Sequence, residues 1–186
     1  MTYKPSLFRH PSGGPLISVL GEYRPWNYHK EHGGTGSTWP EHSCRIMDIK
    51  KMRATGYRYF ERGLLTIIAQ TNADAVALVP GHDPESTRSG MRDIVEAYAP
   101  RAKVAVGVDY LKRTALIDKL AGGGDRSLQV HLDSIAANEA ARFRGKSILL
   151  VDDVLTSGNS IIACRKILMT AGAAKVHSLA FAQTTY

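Results

Sequence analysis

Cysteine is nearly absent from this chain: Cys44 and Cys164 are the only two in 186 residues. They are too few for a disulfide framework and too far apart for a zinc ribbon, so a reduced, cytoplasmic compartment is the simplest expectation. Long hydrophobic runs are missing as well. None approaches the roughly 20 residues that span a bilayer, so no membrane partner is expected. The opening MTYKPSLFRHPSGG lacks the apolar core of a secretory signal. The familiar nucleotide fingerprints are absent too. No G-x-x-x-x-G-K-[ST] pattern occurs, and the densest glycine cluster, Gly122 to Gly124, neither follows a strand nor opens a helix as a dinucleotide site requires. No internal repeat or low-complexity tract is visible.

The composition that remains, 44% hydrophobic and 22% charged, is that of one globular domain with a single sizeable core. The formal net charge of +7 favours anionic ligands, and it would draw in polyphosphates and nucleic acid alike. Lys and Arg are dispersed, and no helix-turn-helix, finger or RNP pattern accompanies them. Nucleic acid therefore stays open as a partner but is not favoured.

The most informative stretch is SILLVDDVLTSGNS, residues 147 to 160. Ile148, Leu149, Leu150 and Val151 form the short apolar run of a central parallel strand covered on both faces. Asp152 and Asp153 then stand at its carboxyl end, where open α/β sheets bind ligands. Val154 and Leu155 lead into a loop of Thr156, Ser157, Gly158, Asn159 and Ser160. Apolar residues at helical spacing follow until Gly172. The loop thus ends on a helix N-terminus, whose amides and dipole favour an anion. Carboxylates accept from vicinal hydroxyls, while Thr and Ser hydroxyls and turn amides donate to phosphate. Together they suit a ribose 5-phosphate. Simple strand-ending and helix-capping roles for the same residues are the plainer alternative.

Alternating units give the rest of the core: a strand over Ala75–Val79, a helix near Ser89–Tyr98, a strand over Ala102–Val108, and a last strand over Val176–Ala182. This order predicts an α/β fold with a mostly parallel sheet and right-handed crossovers. Residues 1 to about 45, with LISVLGEY as one strand, read as a small cover or hood. One or two helices interrupted near Gly56 should follow, and the α/β core should begin near residue 71. Trp26, Tyr28 and Trp39 fit the packing of that cover better than a stacking role against a planar ligand.

Two further regions are candidates for ligand contact. Pro80, Gly81 and His82 form a turn at the end of a neighbouring strand, where Gly81 lets backbone amides approach a phosphate. The stretch Tyr110 to Gln129 is glycine-rich and cationic, with Lys112, Arg113, Lys119 and Arg126, as a loop closing over an anionic leaving group would be. A solvated surface loop would read the same way. Arg113 is the best-placed single cation, because it closely follows an apolar strand.

The VDDVLTSG segment resembles the phosphoribosyl pyrophosphate (PRPP) motif of the type I phosphoribosyltransferases. The resemblance implies that Asp152 and Asp153 contact the ribose hydroxyls, that residues 154 to 160 hold the 5-phosphate, and that Pro80 to His82 cradle pyrophosphate. It also implies Mg2+ bridging PRPP near the two acids, and a catalytic role for Asp152, Asp153 and Arg113. Hypoxanthine and guanine salvage enzymes usually carry Asp where this chain has Thr156. From about Cys44 onward the chain is most similar to the ComF-type group, through the run Leu149 to Thr184, the Gln129/Leu132 pair and IMDIKK. The amino-terminal zinc cysteines of that group are missing, and so is the R-G-x-N sequel of its pyrophosphate loop. The implied function is transfer of a phosphoribosyl group to or from a nitrogenous base. A PRPP-binding regulator or a DNA-uptake accessory protein is the alternative. The partners implied are PRPP or a nucleoside 5-phosphate, an unassigned base, and a homodimer as one open assembly.

Overall fold

The computed structural model describes residues 5–11, 13–86, 88–117, 127–138 and 143–186. Among these, the strands in chain order are β1 (Ser6–Phe8), β2 (Ile17–Val19), β3 (Glu22–Tyr23), β4 (Ala75–Leu78), β5 (Ala105–Gly107), β6 (Leu111–Arg113), β7 (Ile135–Ala137), β8 (Ser147–Leu155) and β9 (Lys175–Thr184). The helices are α1 (Trp26–Glu31), α2 (Glu41–Lys50), α3 (Ala54–Thr71), α4 (Gly90–Tyr98), α5 (Leu128–Ser134) and α6 (Asn159–Thr170).

The main sheet runs β1-β2-β9-β8-β4-β5, with β3 also on β9. Every pairing in it is parallel except β1 with β2. The expected α/β fold, a mostly parallel sheet flanked by helices, is the fold observed. Ile148 to Val151 are fully buried at the centre of β8. Each such side chain contributes roughly 1.5–3 kcal/mol by leaving water, which makes β8 the axis of the molecule. Strand periodicity divides its residues between two cores. Leu149 and Val151 pack on the side of α2, α3 and α4 with Ile46, Leu64, Ile94 and Phe181. Ile148 and Leu150 face the side of α6 with Ile161, Cys164 and Leu168.

Several elements differ from the expectations. LISVLGEY is two strands, because the chain steps between them at Leu20 and Gly21 while Leu20 N and Gly21 O stay bonded to β9. The amino-terminal cover is therefore partly sheet, since β2 and β3 extend the main sheet beyond β9. The helical stretch after it breaks at Lys51 to Arg53, where Met52 takes φ 53°, and Gly56 lies inside the first turn of α3. The following strand is shorter than expected. Pro100–Ala102 forms a 3-10 turn and Lys103 adopts φ 59° before β5 begins. A small antiparallel pair, β6 with β7, was not foreseen. Trp26, Tyr28 and Trp39 are not core. Trp26 is 37% exposed and meets Trp39 edge-on at 5.3 Å, while Tyr28 meets Tyr186 at 5.4 Å. Both cysteines are free thiols, with Cys164 fully buried. No helix among the described residues is long and apolar enough to cross a membrane.

Candidate functional site

The carboxyl edge of the sheet is stepped, and the step creates the site. β4 pairs with β8 only as far as Leu78 and Val151, whereas β8 continues alongside β9 to Leu155. Asp152 and Asp153 thus lie within the longer strand, just past the point where β4 ends. Adjacent strand residues point to opposite faces. Asp152 accordingly faces α6, where Ser160 Oγ donates to its Oδ2 at 3.3 Å. Asp153 faces α2, where Lys50 Nζ donates to its Oδ2 at 2.5 Å. The other oxygens are held locally: Asp152 Oδ1 accepts from the Asp153 amide at 2.9 Å, and Asp153 Oδ1 from the Val154 amide at 2.6 Å.

Both acids line a cleft of about 310 Å³ with Lys50, the Pro80–Gly81–His82 turn, Ser89, Val154 and Ser160. The acid pair and the turn singled out in the sequence are therefore walls of one cleft. A second cavity of about 210 Å³ continues from Pro80 and Gly81 towards Arg88, Arg92, Lys112 and Arg113. Burial first, and the neighbouring Asp153 charge second, together push the Asp152 carboxyl up to about 7 against the opposing effects of the Asp153 amide, Lys50 and Ser160. The Lys50 ammonium is penalised by burial. The charge of Asp153 and its hydrogen bond outweigh that penalty and raise the ammonium above its ordinary value.

The loop after β8 turns back over the same edge. Gly158 takes φ 85° at the N-cap of α6, a conformation glycine adopts without steric cost. Asn159 opens the helix, and its Oδ1 lies 3.0 Å from His10 Nε2. Thr156 Oγ1 is 3.0 Å from Thr184 Oγ1 on β9, and Ser157 Oγ accepts from the Asn159 amide at 3.4 Å. Hydroxyls and helix-end amides are thus gathered next to the acids, as an anion site needs.

Arg113 is near the site but is occupied differently from the expectation. It is 6% exposed, and its donors go to Gly81 O at 2.8 Å, Ser134 Oγ at 2.7 Å and Pro80 O at 3.3 Å. It braces the turn from behind. Lys119, Gly122 to Gly124 and Arg126 lie outside the described residues. Trp26, Tyr28 and Trp39 do not line the cleft beside the acids. Two contributors escaped the sequence reading. His10 was hidden by its distance in sequence from the loop it contacts. Lys50 could have been noticed as the cation at the end of a helix that should cover the sheet edge.

Among the described residues no cluster of three or more His, Cys, Asp or Glu side chains could hold a metal ion. The two acids fit a hard cation that keeps several water or phosphate ligands, in the manner of magnesium, but do not form a cage.

The chain is an α/β protein whose mostly parallel sheet carries an acid pair and a hydroxyl-rich loop at its carboxyl edge, the place where open sheets of this class bind ligands. Residues 96–184, a little under half of the chain, match the family described as the phosphoribosyl transferase domain. The matched segment contains the acids and the loop to Ser160 but not the Pro80–His82 turn. A search of the curated proteins finds no match. Among solved structures, the chain is similar to the allosteric regulatory enzyme of purine biosynthesis, with 22% identity over 75% of this chain and a TM-score of 0.41. It spans 25% of that protein. It is also similar to phosphoribosylpyrophosphate synthetase from Mycobacterium smegmatis, with 12% identity, 98% of this chain and 73% of the other covered, and a TM-score of 0.44. A phosphoribosyltransferase from Corynebacterium diphtheriae gives 16% identity, coverages of 77% and 95%, and a TM-score of 0.41.

Proposed function

We propose that this chain binds PRPP and transfers its phosphoribosyl group to a nitrogenous base, releasing pyrophosphate, or runs the reverse reaction. The observation that carries the reading is the shared cleft. Asp152 and Asp153 stand on one wall and the Pro80–His82 turn on the other, with the Thr156–Ser160 loop continuing from the acids. In this assignment the acids accept hydrogen bonds from the ribose hydroxyls, residues 154 to 160 surround the 5-phosphate, and the turn receives the pyrophosphate. Arg113 positions the turn rather than touching substrate. Asp152 and Asp153 would hold Mg2+ through the bound PRPP, and the ion would supply charge neutralisation at the leaving group. The C1–O bond to pyrophosphate breaks, a C1–N bond to the base forms, and the nitrogen releases its proton. The protein contributes orientation and electrostatic stabilisation.

The resemblance to the ComF-type group, from about Cys44 onward, belongs to the same reading, with a DNA-uptake accessory role as its alternative. A cytoplasmic location and a homodimer remain part of the same reading. A pyrophosphate-release assay with PRPP, Mg2+ and a panel of bases tests it. Release dependent on one base identifies the acceptor. PRPP binding without release from any base would instead favour a regulator that keeps the site without turnover.

A further inference from the structure

Lys50 is the last residue of α2, a helix outside the segment that matches the transferase domain. Its side chain is 41% exposed along its length. It reaches into the cleft, donates to Asp153 and lines the same space as the Pro80–Gly81–His82 turn on the facing wall. The backbone beneath it is fixed. Arg53 N donates to Asp48 O at 2.8 Å and Met52 N to Ile49 O at 2.9 Å, closing the end of α2. A Cβ added at Gly90 would sit 2.0 Å from the Ile49 carbonyl oxygen, so α4 begins directly against that helix end.

Among the described residues, Lys50 is the lysine or arginine that lines this cleft, together with the two carboxylates and the turn. A pyrophosphate group entering there meets the negative charge of the acid pair. The neighbouring cation Arg113 is directed at the Pro80 and Gly81 carbonyls. A lysine is suited to exchange partners, because its ammonium is a compact charge with three donors on a flexible stem.

We propose that Lys50 is the leaving-group cation of this site: it is paired with Asp153 in the unliganded protein and turns onto the pyrophosphate oxygens of PRPP when ribose hydroxyls engage the acids. The inference rests on the phosphoribosyl reading above and adds to it a residue from the cover helix. The exchange moves one hydrogen-bonded charge and makes or breaks no covalent bond. It couples the arrival of the ribose to the capture of the pyrophosphate, since hydroxyls on Asp153 and pyrophosphate oxygens at the ammonium each favour release of the ammonium from that carboxylate.

Calorimetric titration of pyrophosphate, ribose 5-phosphate and PRPP, each with and without Mg2+, into wild type, Lys50→Met and Lys50→Arg tests the assignment. Lys50→Met should weaken pyrophosphate and PRPP by about tenfold or more, as loss of a charge-assisted hydrogen bond does. Ribose 5-phosphate should bind at least as tightly as to wild type, because Asp153 is released. Lys50→Arg should restore most of the pyrophosphate affinity. Equal weakening of all three ligands would overturn the assignment by showing a structural role. Unchanged pyrophosphate and PRPP binding, with ribose 5-phosphate and PRPP still bound by wild type, would overturn it while leaving the phosphoribosyl reading intact. Failure of wild type to bind either ribose compound would overturn both.

Discussion

Arg113 Nε donates to the Gly81 carbonyl oxygen at 2.8 Å, so the most buried cation near the cleft faces the back of the turn that forms its wall. The relationship changes what a loss of that arginine should do. It links the pair β6–β7, through Ser134, to the end of β4. The turn is therefore held by a guanidinium fork and not by local geometry alone.

Arg113→Met should destabilise the protein by about 2–4 kcal/mol, because it leaves two carbonyls and a hydroxyl without their donor. Arg113→Lys should recover little, since an ammonium cannot reproduce the planar fork. Urea unfolding gives the stability, and pyrophosphate titration should show parallel weakening in both variants. Full retention of stability in Arg113→Met would contradict the bracing role.

The raised Asp152 carboxyl predicts a pH effect with a definite sign. Its folded value, about 7, lies above its unfolded value. Between about pH 4 and pH 7 the folded state then binds more protons than the unfolded state, and this group's contribution to stability falls as pH rises through that window. Asp152→Asn should remove this dependence and be relatively more stable than wild type at pH 8 than at pH 5. Parallel stability profiles for the two proteins would show that the carboxyl is not perturbed by its burial and by Asp153.

Gly90 sets how closely α4 approaches α2. Gly90→Ala must displace the Ile49 backbone, and overpacking of this kind costs about 1–3 kcal/mol. The shift should also draw Lys50 away from Asp153, so pyrophosphate affinity should fall along with thermal stability. Ser89→Ala provides the contrast. It removes the hydroxyl that accepts from the Arg92 amide at the N-cap of α4 and should cost about 1 kcal/mol without moving Lys50.

Gly158→Ala places a side chain at φ 85°, with its Cβ 3.1 Å from the His10 ring. It should cost about 1–2 kcal/mol in backbone strain and weaken ribose 5-phosphate more than pyrophosphate. Equal effects on the two ligands would separate this loop from the 5-phosphate.

The β8 segment was legible because its physics is local. Four consecutive apolar residues specify a doubly buried strand, and the acids and hydroxyls follow it directly in sequence. The α4 helix was legible for a similar reason: a helix was expected near Ser89–Tyr98, and it spans Gly90–Tyr98 with Ser89 as its N-cap. What could not be read depends on distant contacts. LISVLGEY alternates like one strand, yet β9 captures it as two. Trp26 and Trp39 have the character of core residues, but only the tertiary arrangement shows them packed against each other at the surface. Arg113 was placed at the correct end of the sheet, while the carbonyls that engage it lie more than thirty residues away. Lys50 and Asp153 are 103 residues apart in sequence, so no motif spacing could pair them.

The central claim is that Asp152 and Asp153 hold the ribose of PRPP, and calorimetric titration of PRPP with Mg2+ into wild type and the Asp152→Asn/Asp153→Asn double variant tests it most directly. Binding to wild type that is lost in a double variant with an intact unfolding transition is the predicted result. Absence of binding to wild type, or equal binding to both proteins, would contradict it.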